Sequence, residues 1–314
     1  MKRIFCYLLI FIVFFFQGCI KTLNEDLKAK ESKLVLNSVI SPDSTIKVNL
    51  SRTFNIFDDE SADNLPFVNN ASVGLYENNS FLFSLNFLEN GYYEKADFYP
   101  TKGKEYKVRA EVHSYKNIEA KTTIPSKVEI QKIDTISVSY SDDYGDSRQY
   151  YGEITYQDIS GEENHYQLKC RVLAPNGNEG EKEWYDQSIW VEESNEVLFD
   201  KTYGKLLWTD KYSDGKKIKF RFSFFELYGS SRETKEANDT LSFEFSLMSV
   251  DKEYYLYLKT MAKYEETSGG SDPFMEPVVI YSNVDEGYGV FGAYQQDTTS
   301  VFIITQYSGD GGEE

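Results

Sequence analysis

Side chains able to do covalent or acid–base work are few in this chain. There are two histidines, His113 and His165, and three cysteines, Cys6, Cys19 and Cys170. By strand alternation His113 shares a polar face with Arg109 and Glu111, and His165 shares one with Lys169 and Arg171, so both read as surface residues. A zinc site needs three or four convergent ligands, and neither histidine has a partner at a ligand spacing such as HExxH. The strings of a nucleophile elbow (G-x-S-x-G) and of a P-loop do not occur. A glycosidase needs only two carboxylates about 5 to 9.5 Å apart. Among 51 acids some pair will meet that distance by chance, so spacing in sequence carries no signal. No catalytic residue, cofactor or metal is predicted. A carboxylate-dependent surface hydrolase stays as the weakest of three functional readings.

Two other groups could bind without reacting. "EKEWYDQSIW" brings Trp184, Tyr185 and Trp190 close together in sequence. Flat rings beside Asp and Gln can stack on sugars or grip peptides, and these three are the candidate ligand-binding residues. Alternation also puts Trp184 and Trp190 on one side of a strand, where a shared core face would explain them equally. Acid clusters at Asp58-Asp59-Glu60 and Asp142-Asp143-Tyr144-Gly145-Asp146 offer hard oxygen ligands of the kind Ca²⁺ takes, but without EF-hand spacing they read as solvated loops.

The strongest chemical signal is a modification site. Met1-Lys2-Arg3 is followed by an apolar run from Ile4 to Phe16, the charged and hydrophobic regions of a secretory signal. That run falls short of the roughly 20 residues a membrane-spanning helix needs. Gly18-Cys19 then supplies a small residue before a cysteine, as in bacterial lipoprotein signals, although Phe16 and Gln17 depart from the usual residues there. The expectation is cleavage after residue 18, lipidation of Cys19, palmitate among its acyl chains, and a membrane held through that anchor. The alternative is an ordinary signal followed by a free cysteine. Each buried CH₂ contributes about 0.8 kcal/mol, so two or three chains anchor stably where one does not. Cys6 leaves with the signal, and Cys170 in "HYQLKCRV" alternates with Tyr166, Leu168 and Val172 as a small core hydrophobe. No disulfide framework is available.

The formal charge is −18, and losing Lys2 and Arg3 makes it more negative still. This argues against nucleic acid or anionic lipid surfaces as partners. Aromatic residues make up 16% of the chain, 25 of them tyrosine, which suits strands and also binding surfaces.

The elements that must position these residues are short strands with turn punctuation. Residues 1–18 read as the signal and 19–31 as a lipidated tether. Residues 32–125 form a series of strands eight to twelve residues apart, an antiparallel β-sandwich, with a boundary at Pro125-Ser126. Residues 126–308 are β-rich, with Phe220, Phe222 and Phe224, and then Leu241, Phe243, Phe245 and Leu247, each on one face of a strand. One prominent helix is predicted at about 251–265, capped by Asp251 and striped by Tyr254, Tyr255, Leu258 and Met261. That stripe reads as packing on a sheet, with a partner groove as the alternative. Residues 309–314 read as a flexible tail.

The chain resembles a family of Bacteroidetes cell-envelope lipoproteins known only as a domain of unknown function (four-two-four-nine). The resemblance runs from Cys19 to about Tyr307. It is carried by the lipidated start, "KLVLNSVISPDSTIKVNLSRT", "VNNASVGLYENN", "GYYEKADFYPTKGKEYKVRAEV", "IEAKTTIPSKVEI" and "EPVVIYSNVDEGYGVFGAY". In the last, Gly287, Gly289, Phe291 and Gly292 read as structural, with a functional loop at "SNVDEGYG" as the alternative. The resemblance implies an immunoglobulin-like first domain and a non-enzymatic outer-membrane lipoprotein. It also implies a TonB-dependent receptor as partner, with the lipoprotein capturing a ligand or forming a lid. A structural or adhesive envelope protein is the second reading. Acidic residues close behind the cysteine direct lipoproteins outward in that phylum. Here Ile20-Lys21-Thr22-Leu23-Asn24 precede Glu25-Asp26, so surface and periplasmic faces both stay open.

Overall fold

The computed structural model describes residues 31–54, 66–142, 145–175, 181–194, 197–200, 202, 204–225, 239–268 and 277–305. Cys19, with the signal and tether, lies outside the described residues, as do Asp58-Asp59-Glu60 and the tip of the 142–146 cluster. The protein is mainly β, and among the described residues its strands form three sheets.

The first block is built from β1 (Leu34–Ile40), β2 (Ile46–Arg52), β3 (Ser72–Glu77), β4 (Ser80–Ser84), β5 (Asn86–Phe87), β6 (Tyr92–Lys95), β7 (Glu105–Glu111) and β8 (Ile118–Thr123). Period-two alternation decides which side chains go inside: Leu34, Leu36 and Ile40 on β1, Ile46, Val48 and Leu50 on β2, Tyr106, Val108 and Ala110 on β7. The sheet β4-β3-β7-β8 closes over β1-β2-β6-β5 around this core. Asn78 and Asn79 both have positive φ (46° and 65°), and Glu77 pairs with Ser80. The expected Asn-Asn turn is thus a two-residue hairpin whose backbone twist suits the flanking strands.

The second block contains β9 (Ile130–Asp142), β10 (Gly145–Gln157), β11 (His165–Pro175), β12 (Lys182–Gln187), β13 (Ile189–Glu193), β14 (Leu206–Thr209), β15 (Lys217–Phe225), β16 (Asp239–Val250) and β17 (Tyr288–Thr305). Between its sheets lies an aromatic core. Phe220, Phe222 and Phe224 of β15 and Tyr150, Ile154 and Tyr156 of β10 face Tyr166, Leu168, Cys170 and Val172 of β11 and Phe243, Phe245 and Leu247 of β16. Tyr150 stacks on Phe224 at 5.2 Å, and the Trp208 indole N–H donates to Tyr156 Oη at 2.8 Å. These buried polar tips are satisfied without water.

One strand belongs to both blocks. The first part of β17 runs parallel to β1 from Tyr288 against Val35 to Ala293 against Ile40, and its remainder runs antiparallel to β16. Among the described residues nine strands therefore make one sheet that runs through both blocks. The closing stretch that follows the second block in sequence packs in the first core, where Val284, Phe291 and Ala293 are buried. Gly289 has φ +107°, and a Cβ there would lie 2.0 Å from Leu36 O, so only glycine lets β17 approach β1 this closely.

The helix α1 (Lys252–Ser268) lies on this sheet. Asp251 caps it, accepting from Tyr254 N–H at 3.1 Å. Tyr255 and Leu258 pack with Leu207, Met248 and Val250, as the helical stripe predicts. A Cβ on Gly292 would stand 2.5 Å from Tyr254 Cβ. No helix among the described residues is long and apolar enough to cross a membrane.

Candidate ligand-binding face

The three aromatic candidates do not form one cluster. After Gln187 the chain leaves the nine-stranded sheet and enters the four-stranded sheet at Ile189, with Ser188 as the only link. Tyr185 pairs with Val172 and packs against the second core. Trp190 lies opposite Ser223, between the core-facing Phe222 and Phe224, and so stands on the outer face of the other sheet. Trp184 is on the outer face of the nine-stranded sheet and exposed. The shared strand face expected for Trp184 and Trp190 fails because the strand is broken between them.

Trp184 instead joins residues from three other strands. It stands opposite Leu173 on β11, Leu173 opposite Ser242 on β16, and Ser242 opposite Phe302 on β17. Phe302 is 69% exposed. The next row in register reads Asp186, Arg171, Glu244 and Ser300. Arg171 is fixed from two sides: its guanidinium lies 4.9 Å from the Trp184 ring centroid, and Nη2 is 2.5 Å from Glu244 Oε1. In a third row Ser246 and Thr298 hydroxyls are 3.0 Å apart. With neighbouring strands about 4.8 Å apart, Trp184 and Phe302 mark the ends of a platform about 14 Å wide. Chemically it can stack on flat rings or sugar faces and hydrogen-bond hydroxyls or amides beside them. Phe302 is not among the sequence candidates: the run "TTSVFIIT" is rich in β-branched residues, as strands are, but its four consecutive apolar residues name no face, and only the pairing of β16 with β17 brings Phe302 into one row with Trp184.

His165 corrects an expectation. The alternation is right, but α1 covers that end of the face. His165 is buried, 4.7 Å from the Tyr255 ring centroid, with Glu163 Oε1 3.6 Å from its Nε2. Burial pushes its pKa below the usual histidine value, more than Glu163 raises it. His113 is exposed, as expected. Cys170 is buried in the core, and burial pushes its thiol pKa up.

The stretch Gly287-Tyr288-Gly289-Val290-Phe291-Gly292 has the spacing G-x-G-x-x-G. It lies mostly within β17, which continues as a strand. A dinucleotide fingerprint must instead open a helix after a strand. Here Gly289 and Gly292 serve close packing against β1 and α1.

Residues 20–300 match the family model described as a domain of unknown function, DUF4249, and the chain belongs to that family. No curated protein matches the chain. A solved structure, "Biofilm associated protein - BSP domain", aligns over 88% of this chain at 8% identity and a TM-score of 0.19. The alignment covers 59% of that protein, and a superposition this loose carries no argument.

Proposed function

We propose that this protein is a non-enzymatic lipoprotein of the outer membrane, anchored through acyl chains on Cys19, that captures a ligand beside a TonB-dependent transporter. The observation that supports capture is the exposed platform ending in Trp184 and Phe302, with Arg171 held between Trp184 and Glu244. Solvent-exposed aromatics in register across four strands have no role in either core. Anchoring would confine this face to the membrane plane and raise its effective concentration near a partner barrel. Affinity purification from detergent extracts at native expression is expected to recover a barrel receptor; recovery of the lipoprotein alone overturns the partnership.

A structural or adhesive role is the second reading. It is favoured by the strand β17, which joins both sandwiches as a spacer requires. A deletion that weakens cell attachment while leaving nutrient uptake unchanged would select it.

A further inference from the structure

The outer face that carries Trp184 and Phe302 continues past Arg171 along β11, and the next residue on that face is Lys169. β12 pairs with β11 as far as Cys170, and β14 takes over at Leu168, so Lys169 stands at the seam between them. It keeps access to solvent. Among the described residues it makes neither an ion pair nor a hydrogen bond. Its cationic neighbours are engaged, Arg171 by Glu244 at 2.5 Å and Lys205 by Glu265 at 2.6 Å. Desolvation lowers the Lys169 pKa, and Lys205 and Arg171 lower it further against the pull of Asp186. The result is an ammonium with three unused donors and no counter-charge at contact distance.

Around it the face offers hydroxyls and a carboxylate. Ser246 and Thr298 continue the Lys169 row across β16 and β17, and Ser300 is exposed one row nearer Phe302. Asp186, exposed on β12, also has no ion pair among the described residues. Four residues along a strand separate Lys169 from the Trp184–Phe302 row, roughly 13 Å. A ligand that stacks on that row and reaches Lys169 must be elongated, offer donors to Asp186 and bring negative charge to the ammonium. Linked sugar rings supply flat faces and hydroxyl donors, and a carboxylate on one of them supplies the charge. An acidic peptide also carries the charge, but its N–H and C=O groups find no free strand edge on a sheet face.

We infer that the captured ligand is a short acidic saccharide whose carboxylate is bound by Lys169 while its rings lie on the Trp184–Phe302 platform. This rests on the capture reading above and narrows it to one ligand class. The complementarity is local. The chain as a whole carries −18 and repels a long polyanion, which limits the ligand to few charges. Arg171, already held by Glu244, orients Trp184 and leaves the acid to Lys169. A lysine is a compact point charge on a flexible stem, suited to a single carboxylate without bidentate geometry.

Calorimetric titration of the full-length protein in detergent with trigalacturonate, and with the same trisaccharide as its methyl ester, tests this. The acid is expected to bind about tenfold more tightly than the ester, with the difference shrinking at high salt. Lys169→Gln should erase that preference and Lys169→Arg should keep it, while Trp184→Ala or Phe302→Ala should weaken both forms. Equal affinity for acid and ester is the result expected if Lys169 simply turns to Asp186. It would overturn the inference and leave capture by the platform standing. Binding unchanged in both Trp184→Ala and Phe302→Ala would place the ligand elsewhere and overturn the inference, as would triglutamate bound as tightly as trigalacturonate. No heat with either saccharide overturns it too, and recovery of a receptor in the affinity purification then judges the capture reading on its own.

Discussion

Asn283 holds both backbone groups of Phe291: its Oδ1 accepts from Phe291 N–H at 2.9 Å, and its Nδ2 donates to Phe291 C=O at 2.8 Å. The same Nδ2 reaches Lys121 O at 2.9 Å. One side chain thus imitates a neighbouring strand where β17 enters the first core, and ties it to β8. This gives "SNVDEGYG" a structural role. Asn283→Ala removes three hydrogen bonds at about 1 kcal/mol each and leaves a part-buried amide of the strand without its acceptor. A loss of about 2–3 kcal/mol in urea denaturation is expected, and Asn283→Asp should be nearly as costly because it cannot donate.

Asp251 should give stability a pH dependence. Its Oδ1 accepts from Tyr254 N–H and Ala293 N–H, and its Oδ2 from Thr122 Oγ1 at 2.8 Å. Burial outweighs these donors and pushes the carboxyl up to about 6 in the folded protein. An acid whose folded pKa lies above its unfolded value, near 3.9, costs nothing while protonated. Stability therefore falls as pH rises from about 4 to about 6 and levels off above that. The full cost is about 3 kcal/mol. Asn at this position can accept with Oδ1 and donate to the Thr122 hydroxyl. Asp251→Asn should thus flatten that part of the curve and gain relative to the parent at neutral pH. An unchanged difference between the two proteins from pH 4 to 7 would contradict it.

The two glycines of β17 should rank by what they face. Gly289→Ala sets a Cβ against main-chain oxygen at a positive φ, and neither can give way. Gly292→Ala meets the Tyr254 side chain on α1, and the helix can shift at a cost of about 1–3 kcal/mol. Thermal melts should show the first variant much the more damaged.

Trp184→Ala and Phe302→Ala should reduce ligand or partner capture with stability changed by less than about 1 kcal/mol, since both rings are exposed. Tyr185→Ala should do the reverse, because its ring packs against the second core. Paired pull-down and denaturation measurements separate the two outcomes.

Cys170 should resist thiol reagents in the folded protein and react at the rate of global unfolding. It is 1% exposed, and burial disfavours its thiolate.

Strand positions were legible because alternation over five to nine residues is a local property. The faces of Tyr166–Val172 and Phe220–Phe224, the Asn78-Asn79 hairpin and the Asp251 cap could all be read directly. Alternation names a face, however, and is silent about what covers it. His165 reads as a surface residue until α1, nearly ninety residues later, lies across it. Trp184 and Trp190 share a parity that means nothing once Ser188 carries the chain to another sheet. The partners that matter most are distant: Phe302 for Trp184, and β1 for β17. Only the closed fold decides those pairings.

The eighteen-residue β17 has a mechanical consequence. Most chains of sandwiches meet at a peptide joint that bends. Here any swivel would first have to shear a ribbon along β1 or along β16, against bonds loaded side by side. Near the joint, Asp297 further clamps the crossover by receiving Lys127 Nζ at 2.8 Å and Ile130 N–H at 2.9 Å. A tug on one end would therefore reach the other as a displacement of the whole body, the behaviour of a stiff lever.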